Sequence, residues 1–221
     1  MDDTQLRKLA QIAHRKKVSA GQTIISDEEP ADFFANVISG AIKLTKTLSD
    51  GRQQIVGLLF APDFLGRAYS KNNPYTAEAA TDVEICTFPN AAFERLVSEY
   101  PGLQQRLFQH TLDELDAARD WMLLLGRKTA EEKVASFIYM LARRSLQTGC
   151  AQRTPRETAA FELPLTRSDM ADYLGLTIET VSRQLTKLKT RNVIRLSSSR
   201  LIMVPDLTRL AETAGQDVGS H

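Results

Sequence analysis

Cysteine is almost absent from this chain: Cys86 and Cys150 are the only two in 221 residues. A pair so widely separated builds no disulfide framework, and reduced thiols are the default. Histidine is as scarce. His14, His110 and His221 are scattered without metal-ligand spacing, so neither a metal site nor a metal-dependent catalytic barrel is expected. No catalytic residues are assigned, and the chain is not read as an enzyme. No apolar run approaches the roughly 20 residues of a membrane span, and the charged N-terminus lacks the apolar centre of a signal peptide. A cytoplasmic protein without a membrane partner is expected. Net charge is missing too, at +1, but that average hides a basic concentration late in the chain. What is present is 43% hydrophobic and 25% charged residues, enough for one large core or two modest ones.

The basic stretch is the most informative part. Thr166 is a good N-cap, and Met170, Ala171 and Leu174 follow at helical spacing. Gly175 can take the left-handed backbone that ends a helix, and Thr177 can cap the next one. That second helix, 178–189, keeps Ile178, Val181, Leu185 and Leu188 on one face for burial against the first. Its other face carries Glu179, Thr180, Ser182, Arg183, Gln184 and Lys187, which can donate to guanine, accept from cytosine and hold phosphate. Between Leu176 and Arg200 the basic residues are Arg183, Lys187, Lys189, Arg191, Arg195 and Arg200, and Glu179 is the only acid. Such local imbalance attracts a polyanion. Two tightly joined helices with a polar, basic second member predict a helix-turn-helix; the bland alternative is a helical hairpin with a solvated charged face.

The run from Leu163 through Leu165, Thr166, Gly175 and Thr177 to Leu185 resembles the DNA-reading motif of the CRP/FNR regulators, in particular the FNR and FixK branch. The Glu-x-x-Ser-Arg pattern of that branch falls on Glu179, Ser182 and Arg183, which the resemblance assigns to reading a TTGAT half-site and its inverted ATCAA partner. The segment from Thr111 through Trp121 and Gly126 to Phe137 is also similar to that branch, and the likeness covers nearly the whole chain. Thr166, Arg167, Thr177, Thr180 and Lys187 are better assigned to the DNA backbone, which adds affinity without specificity.

From Lys16 to Phe88 the pattern changes to short apolar runs broken by Gly, Pro, Asn and Asp. Candidate strands cover 22–25, 33–39, 41–48, 53–60 and 83–88, with a hairpin turn at Ser49, Asp50, Gly51 and Arg52. A closed antiparallel barrel or jelly roll disposes of so many edges, and the resemblance implies the double-stranded β-helix of cyclic-nucleotide-binding domains. The nucleotide itself is not expected. The family's ribose-binding Glu and phosphate-binding Arg would fall in Gly66-Arg67-Ala68 and Tyr75-Thr76-Ala77, where both are missing. Burying a phosphate without its cation carries a penalty on the order of several kcal/mol. Arg67 is read as exposed or salt-bridged, with another anion as the alternative.

The FNR branch also suggests an iron–sulfur cluster, for which Cys86 sits where a barrel ligand would fall. A cluster needs four thiolates, and this chain has Cys86 and Cys150 alone. No cofactor is therefore expected in the chain as given; a 4Fe-4S cluster is expected only if N-terminal cysteines are missing from this version of the chain. Cys86 reads as a small buried residue on a strand, with a redox role as the alternative.

After the barrel a short helix at 91–97 precedes a long one, 103–125, that Pro101 opens. It is apolar on two sides. Leu103, Leu107, Thr111, Glu114, Ala118, Trp121 and Leu125 form one, expected as the dimer interface, and Phe108, Leu112, Leu115 and Met122 form the other. Two apolar sides require two partners: the barrel and the same helix of a second subunit. A further helix, 129–146, leads to an exposed loop around Gly149 and Pro155, a short strand at 161–163, and a hairpin wing at 193–196 and 201–204, with a last helix after Pro205. The expected organisation is α+β: a β-roll domain over 1–100, a dimerisation helix over 101–127, and a winged helix-turn-helix over 128–221. The expected function is a homodimeric, DNA-binding transcription regulator, in the main an activator, on a TTGAT-N4-ATCAA-like operator. Asp50, Gly51 and Arg52 resemble the family's RNA polymerase contact. The alternatives are an iron–sulfur or thiol redox regulator shortened at its N-terminus, or a small-molecule-binding module with a merely structural hairpin.

Overall fold

The computed structural model describes residues 3–148, 158–198 and 200–216. Cys150 and His221, and the centre of the expected loop around Gly149 and Pro155, lie outside them. Two compact units divide the chain, Met1–Ala118 and Arg119–His221, with the boundary inside one long helix.

The first unit opens with α1 (Asp3–Ile12) and then runs through β1 (His14–Val18), β2 (Thr23–Ile25), β3 (Phe33–Ser39), β4 (Ala41–Thr47), β5 (Gln53–Phe60), β6 (Phe64–Leu65), β7 (Thr76–Ala79) and β8 (Val83–Pro89). These make two four-stranded antiparallel sheets, ordered β1-β8-β3-β6 and β2-β7-β4-β5, the jelly-roll arrangement expected from the many short apolar runs. Their inner faces share a core that includes Val37, Ile42, Leu65 and Ile85, packed by Phe33, Leu44 and Tyr75. The continuous apolar run of β3 follows from its position: Ala35 and Val37 point into that core, while Phe34 points the other way into a second cluster. There Phe34 stacks on Phe93 with ring centres 4.4 Å apart. Phe93 belongs to α2 (Asn90–Glu99), which with the start of α3 (Pro101–Arg127) covers the outer face of the sheet.

Three strands escaped the sequence pattern for separate reasons. β1 reads His-Arg-Lys-Lys-Val and is exposed but for Val18, so the antiparallel ladder with β8 holds it rather than burial. β6 is two residues long, and β7, Thr-Ala-Glu-Ala, lacks bulky β-formers.

The second unit contains the end of α3, α4 (Ala130–Thr148), β9 (Ala159–Glu162), α5 (Arg167–Leu174), α6 (Ile178–Thr190), β10 (Arg195–Leu196), β11 (Leu201–Val204) and α7 (Leu207–Thr213). Strands β9, β10 and β11 pair in the order β10-β11-β9, which makes the wing hairpin part of a three-stranded antiparallel sheet. Phe137 and Ile138 of α4, Met170 and Leu174 of α5, Leu185 and Leu188 of α6 and Leu210 of α7 are fully buried.

Packing within the chain divides the expected dimer seam. Leu103 and Leu107 pack against the Phe34, Phe93 and Val97 cluster of their own chain. Trp121 stacks on Tyr173 with ring centres 4.0 Å apart, and Leu125 is half-buried near Gly175. Of the seven residues, only Thr111, Glu114 and Ala118 are exposed. The opposite stripe is the bare one: Phe108 is 63% exposed, Leu112 39%, Leu115 45% and Met122 64%. Periodicity identifies both stripes equally well; only packing decides which one the chain keeps for itself. Among the described residues, no helix is long and apolar enough to cross a membrane.

Candidate nucleic-acid interface

Local chemistry builds the two helices before packing joins them. Thr166 begins α5 with a reciprocal capping box: its hydroxyl accepts from the Asp169 backbone N–H at 3.1 Å, and the Asp169 carboxylate accepts from the Thr166 backbone N–H at 3.1 Å. Gly175 ends the helix at φ 61°, ψ 46°, the left-handed conformation that a side chain would strain. Two residues later Thr177 caps α6, accepting from the Thr180 N–H at 3.3 Å.

Val181, Leu185 and Leu188 then fix one face of α6 in the core. Ile178 does not join them: at the first turn it is 46% exposed, which corrects the expected four-residue apolar face. Glu179, Ser182 and Arg183, at offsets of three and four, therefore lie together on the exposed face. Arg183 sits with its guanidinium 3.5 Å from the Thr180 hydroxyl. The Glu179 carboxyl lies below the usual carboxylate range because its own backbone N–H, and then the Thr177 hydroxyl, favour the ionised form. It is thus an acceptor at neutral pH. Thr180 and Gln184, expected on the open face, are half-buried, and the Gln184 carbonyl oxygen is enclosed without a hydrogen-bond partner.

The residues expected at the DNA backbone are differently placed. Thr166 and Thr177 are exposed at the helix starts, where their hydroxyls already serve the caps. Arg167 is half-buried, its Nη1 3.7 Å from the Met170 sulfur, and burial lowers the affinity of its guanidinium for a proton. Lys187 is engaged: its ammonium donates to Glu131 Oε2 at 2.6 Å. Glu131 was beyond the reach of sequence reasoning, because its partners Lys187 and Arg191 are 56 and 60 residues away.

Elsewhere the expected sites separate. Asp50, Gly51 and Arg52 form the exposed tip of the β4–β5 hairpin, where the Asp50 carboxylate pairs with the Arg52 guanidinium at 2.8 Å. In the β-roll, Tyr75 packs against the core and Arg67 is exposed. Cys86 borders a cavity of about 700 Å³ with Leu9, Ile38, Phe88 and Leu107. Burial pushes its thiol up, against a smaller opposing pull from Arg15, so it is not a poised thiolate. Among the described residues no three His, Cys, Asp or Glu converge to hold a metal. One described thiol does not fit an iron–sulfur cluster that needs four.

Comparison with known proteins converges on one family. Residues 15–100 match the cyclic nucleotide-binding domain, and residues 132–213 match the Crp-like helix-turn-helix domain. A probable transcriptional activator of Rhizobium leguminosarum bv. viciae is 51% identical over 206 residues, covering 93% of this chain and 83% of that protein. The transcriptional activator protein FnrL of Cereibacter sphaeroides is 48% identical over 216 residues, covering 98% and 86%. Among solved structures, FixK2 from Bradyrhizobium japonicum superimposes with a TM-score of 0.82 at 32% identity, covering 95% of this chain and 100% of that one.

Proposed function

The chain belongs to the CRP/FNR family of transcription regulators, in its FNR and FixK branch, and we propose that it activates transcription as a homodimer on a palindromic TTGAT-N4-ATCAA-like operator, in oxygen-limitation or nitrogen-fixation control. One observation carries this reading: Glu179, Ser182 and Arg183 share the open face of a helix whose other face Val181, Leu185 and Leu188 lock in place. Arg183 can form the bidentate bond to guanine O6 and N7, ionised Glu179 can accept from cytosine N4, and Ser182 can serve either a base or a phosphate. Thr166, Arg167, Thr177 and Thr180 stand at two helix starts, where backbone N–H groups favour phosphate, and position the duplex. This recognition is binding rather than catalysis, takes place on cytoplasmic DNA, and needs no cofactor.

A palindrome requires two reading helices about 34 Å apart, one DNA turn, which a two-fold dimer supplies. Support for the dimer comes from the bare stripe of α3. Phe108, Leu112, Leu115 and Met122 recur at spacings of four, three and seven, a heptad seam left open to solvent by its own chain. The exposed Asp50–Arg52 tip is the proposed polymerase contact.

A mobility-shift titration tests the whole reading, with operator and scrambled duplex compared at two salt concentrations. Operator binding should persist against excess competitor DNA, by roughly a thousandfold or more in affinity ratio. Equal binding to both duplexes would reject it.

A further inference from the structure

The basic arm of the reading helix is partly neutralised from within. Glu131 stands in the first turn of α4, behind the N-cap Thr129, which Glu132 secures by accepting from both its backbone N–H and its hydroxyl. The Glu131 side chain is only 19% exposed, and each of its carboxylate oxygens takes one cation from the C-terminal end of α6. Oε2 accepts from Lys187 Nζ at 2.6 Å, and Oε1 accepts from Arg191 Nη1. Both cations lie at the surface, with side chains 52% and 50% exposed, at the end of the helix that bears Glu179, Ser182 and Arg183. The Arg191 carbonyl in turn accepts from Arg209 of α7 at 2.8 Å. Of the basic residues between Leu176 and Arg200, Lys187 and Arg191 are thus committed to an internal anion.

A carboxylate with two oxygens bridging a lysine and an arginine presents to them what a DNA phosphate would present. We propose that Glu131 is an intramolecular competitor for phosphate: by holding Lys187 and Arg191 it limits sequence-independent DNA affinity and leaves discrimination to Glu179, Ser182 and Arg183. The inference rests on the DNA-reading role proposed above and adds to it a residue outside the reading helix that sets its electrostatic strength. The physical need is specific. Each cation that meets a phosphate strengthens binding to every sequence alike, and a genome offers nonspecific sites in vast excess.

Salt dependence reads this directly, because the slope of log K against log salt shifts by about 0.9 for each phosphate that the protein newly neutralises or releases. On a scrambled duplex, Glu131→Gln should steepen the slope by about one to two units and tighten binding roughly ten- to sixtyfold at about 0.1 M salt. Lys187→Gln alone should leave the wild-type slope nearly unchanged, since that ammonium is already paired. In the Glu131→Gln background the same Lys187→Gln change should lower the slope by about one unit. This non-additivity separates competition from support. If Glu131 were only a strut for α6, Glu131→Gln would weaken binding with an unchanged slope, and the proposal would fall. A one-unit loss from Lys187→Gln in the wild-type background would overturn it as well, and that variant leaves Glu131 in place should Glu131→Gln fail to fold. The measurement uses scrambled DNA, so its failure is distinct from loss of operator preference, which would strike the DNA-reading role itself.

Discussion

At the scale of single residues, function depends on which side chains packing leaves free. Arg183 is exposed while Val181 and Leu185 on the same helix are buried, so the guanidinium can reach a base edge without disturbing the core. Arg183→Ala should lower discrimination at one base pair by about 1–3 kcal/mol. Competition titrations with singly substituted operators measure this, and an equal loss on matched and scrambled duplexes would remove Arg183 from base reading. A second prediction concerns acid. The Glu131 carboxyl lies below its ordinary value of 4.5 chiefly because of the Lys187 hydrogen bond, with Arg191 adding to it against an opposing effect of burial. A depressed folded-state value means that the contribution to stability is complete above the ordinary carboxylate range and disappears as the pH falls through the lowered one. The melting difference between wild type and Glu131→Gln should therefore be present at neutral pH and vanish in acid. It should be small, because both cations are half-exposed.

At the scale of elements, caps and stripes do different work. The Thr166 capping box fixes where α5 begins, and Thr166→Ala should cost about 0.5–2 kcal/mol in urea unfolding. A loss of DNA affinity with no change in stability would instead make the hydroxyl a phosphate ligand only. The long helix separates into a face turned to its own chain and a bare face. Leu107→Ala should lower stability, because Leu107 packs on the Phe34, Phe93 and Val97 cluster. Leu115→Glu should instead convert the proposed dimer to monomer in sedimentation, with the melting of each unit retained, because Leu115 is 45% exposed in the single chain. Sedimentation of Leu115→Glu at wild-type size would discard this seam. Both stripes of α3 are legible as apolar in the sequence; their assignment is not, since two equal faces carry no information about which neighbour lies where.

At the scale of the whole molecule, the proposed activator has two separate tasks, to bind DNA and to engage the transcription machinery. The Asp50, Gly51 and Arg52 tip is exposed and held in shape by its own ion pair. Replacing Asp50 and Arg52 together should reduce operator-dependent transcription in a purified system while leaving operator affinity unchanged; parallel loss of both would reject a polymerase contact. The helix-turn-helix was readable because its determinants are local: Thr166, Gly175 and Thr177 act within a few residues, and Val181, Leu185 and Leu188 repeat at helical spacing. Strands β2, β3, β4, β5 and β8 are readable for the same reason, as short apolar runs broken by turn residues are written along the chain. Edge strand β1 was not, because its charged residues are ordered by pairing with β8 rather than by any preference of their own. The sequence by itself therefore determined the strand and helix patterns, the caps and the exposed face of α6 that carries Glu179, Ser182 and Arg183, all products of neighbours along the chain. Only the tertiary structure decided that Leu107 faces inward and Leu115 outward, and that Glu131 reaches Lys187 and Arg191, because burial and ion pairing depend on distances in space that no short-range pattern encodes.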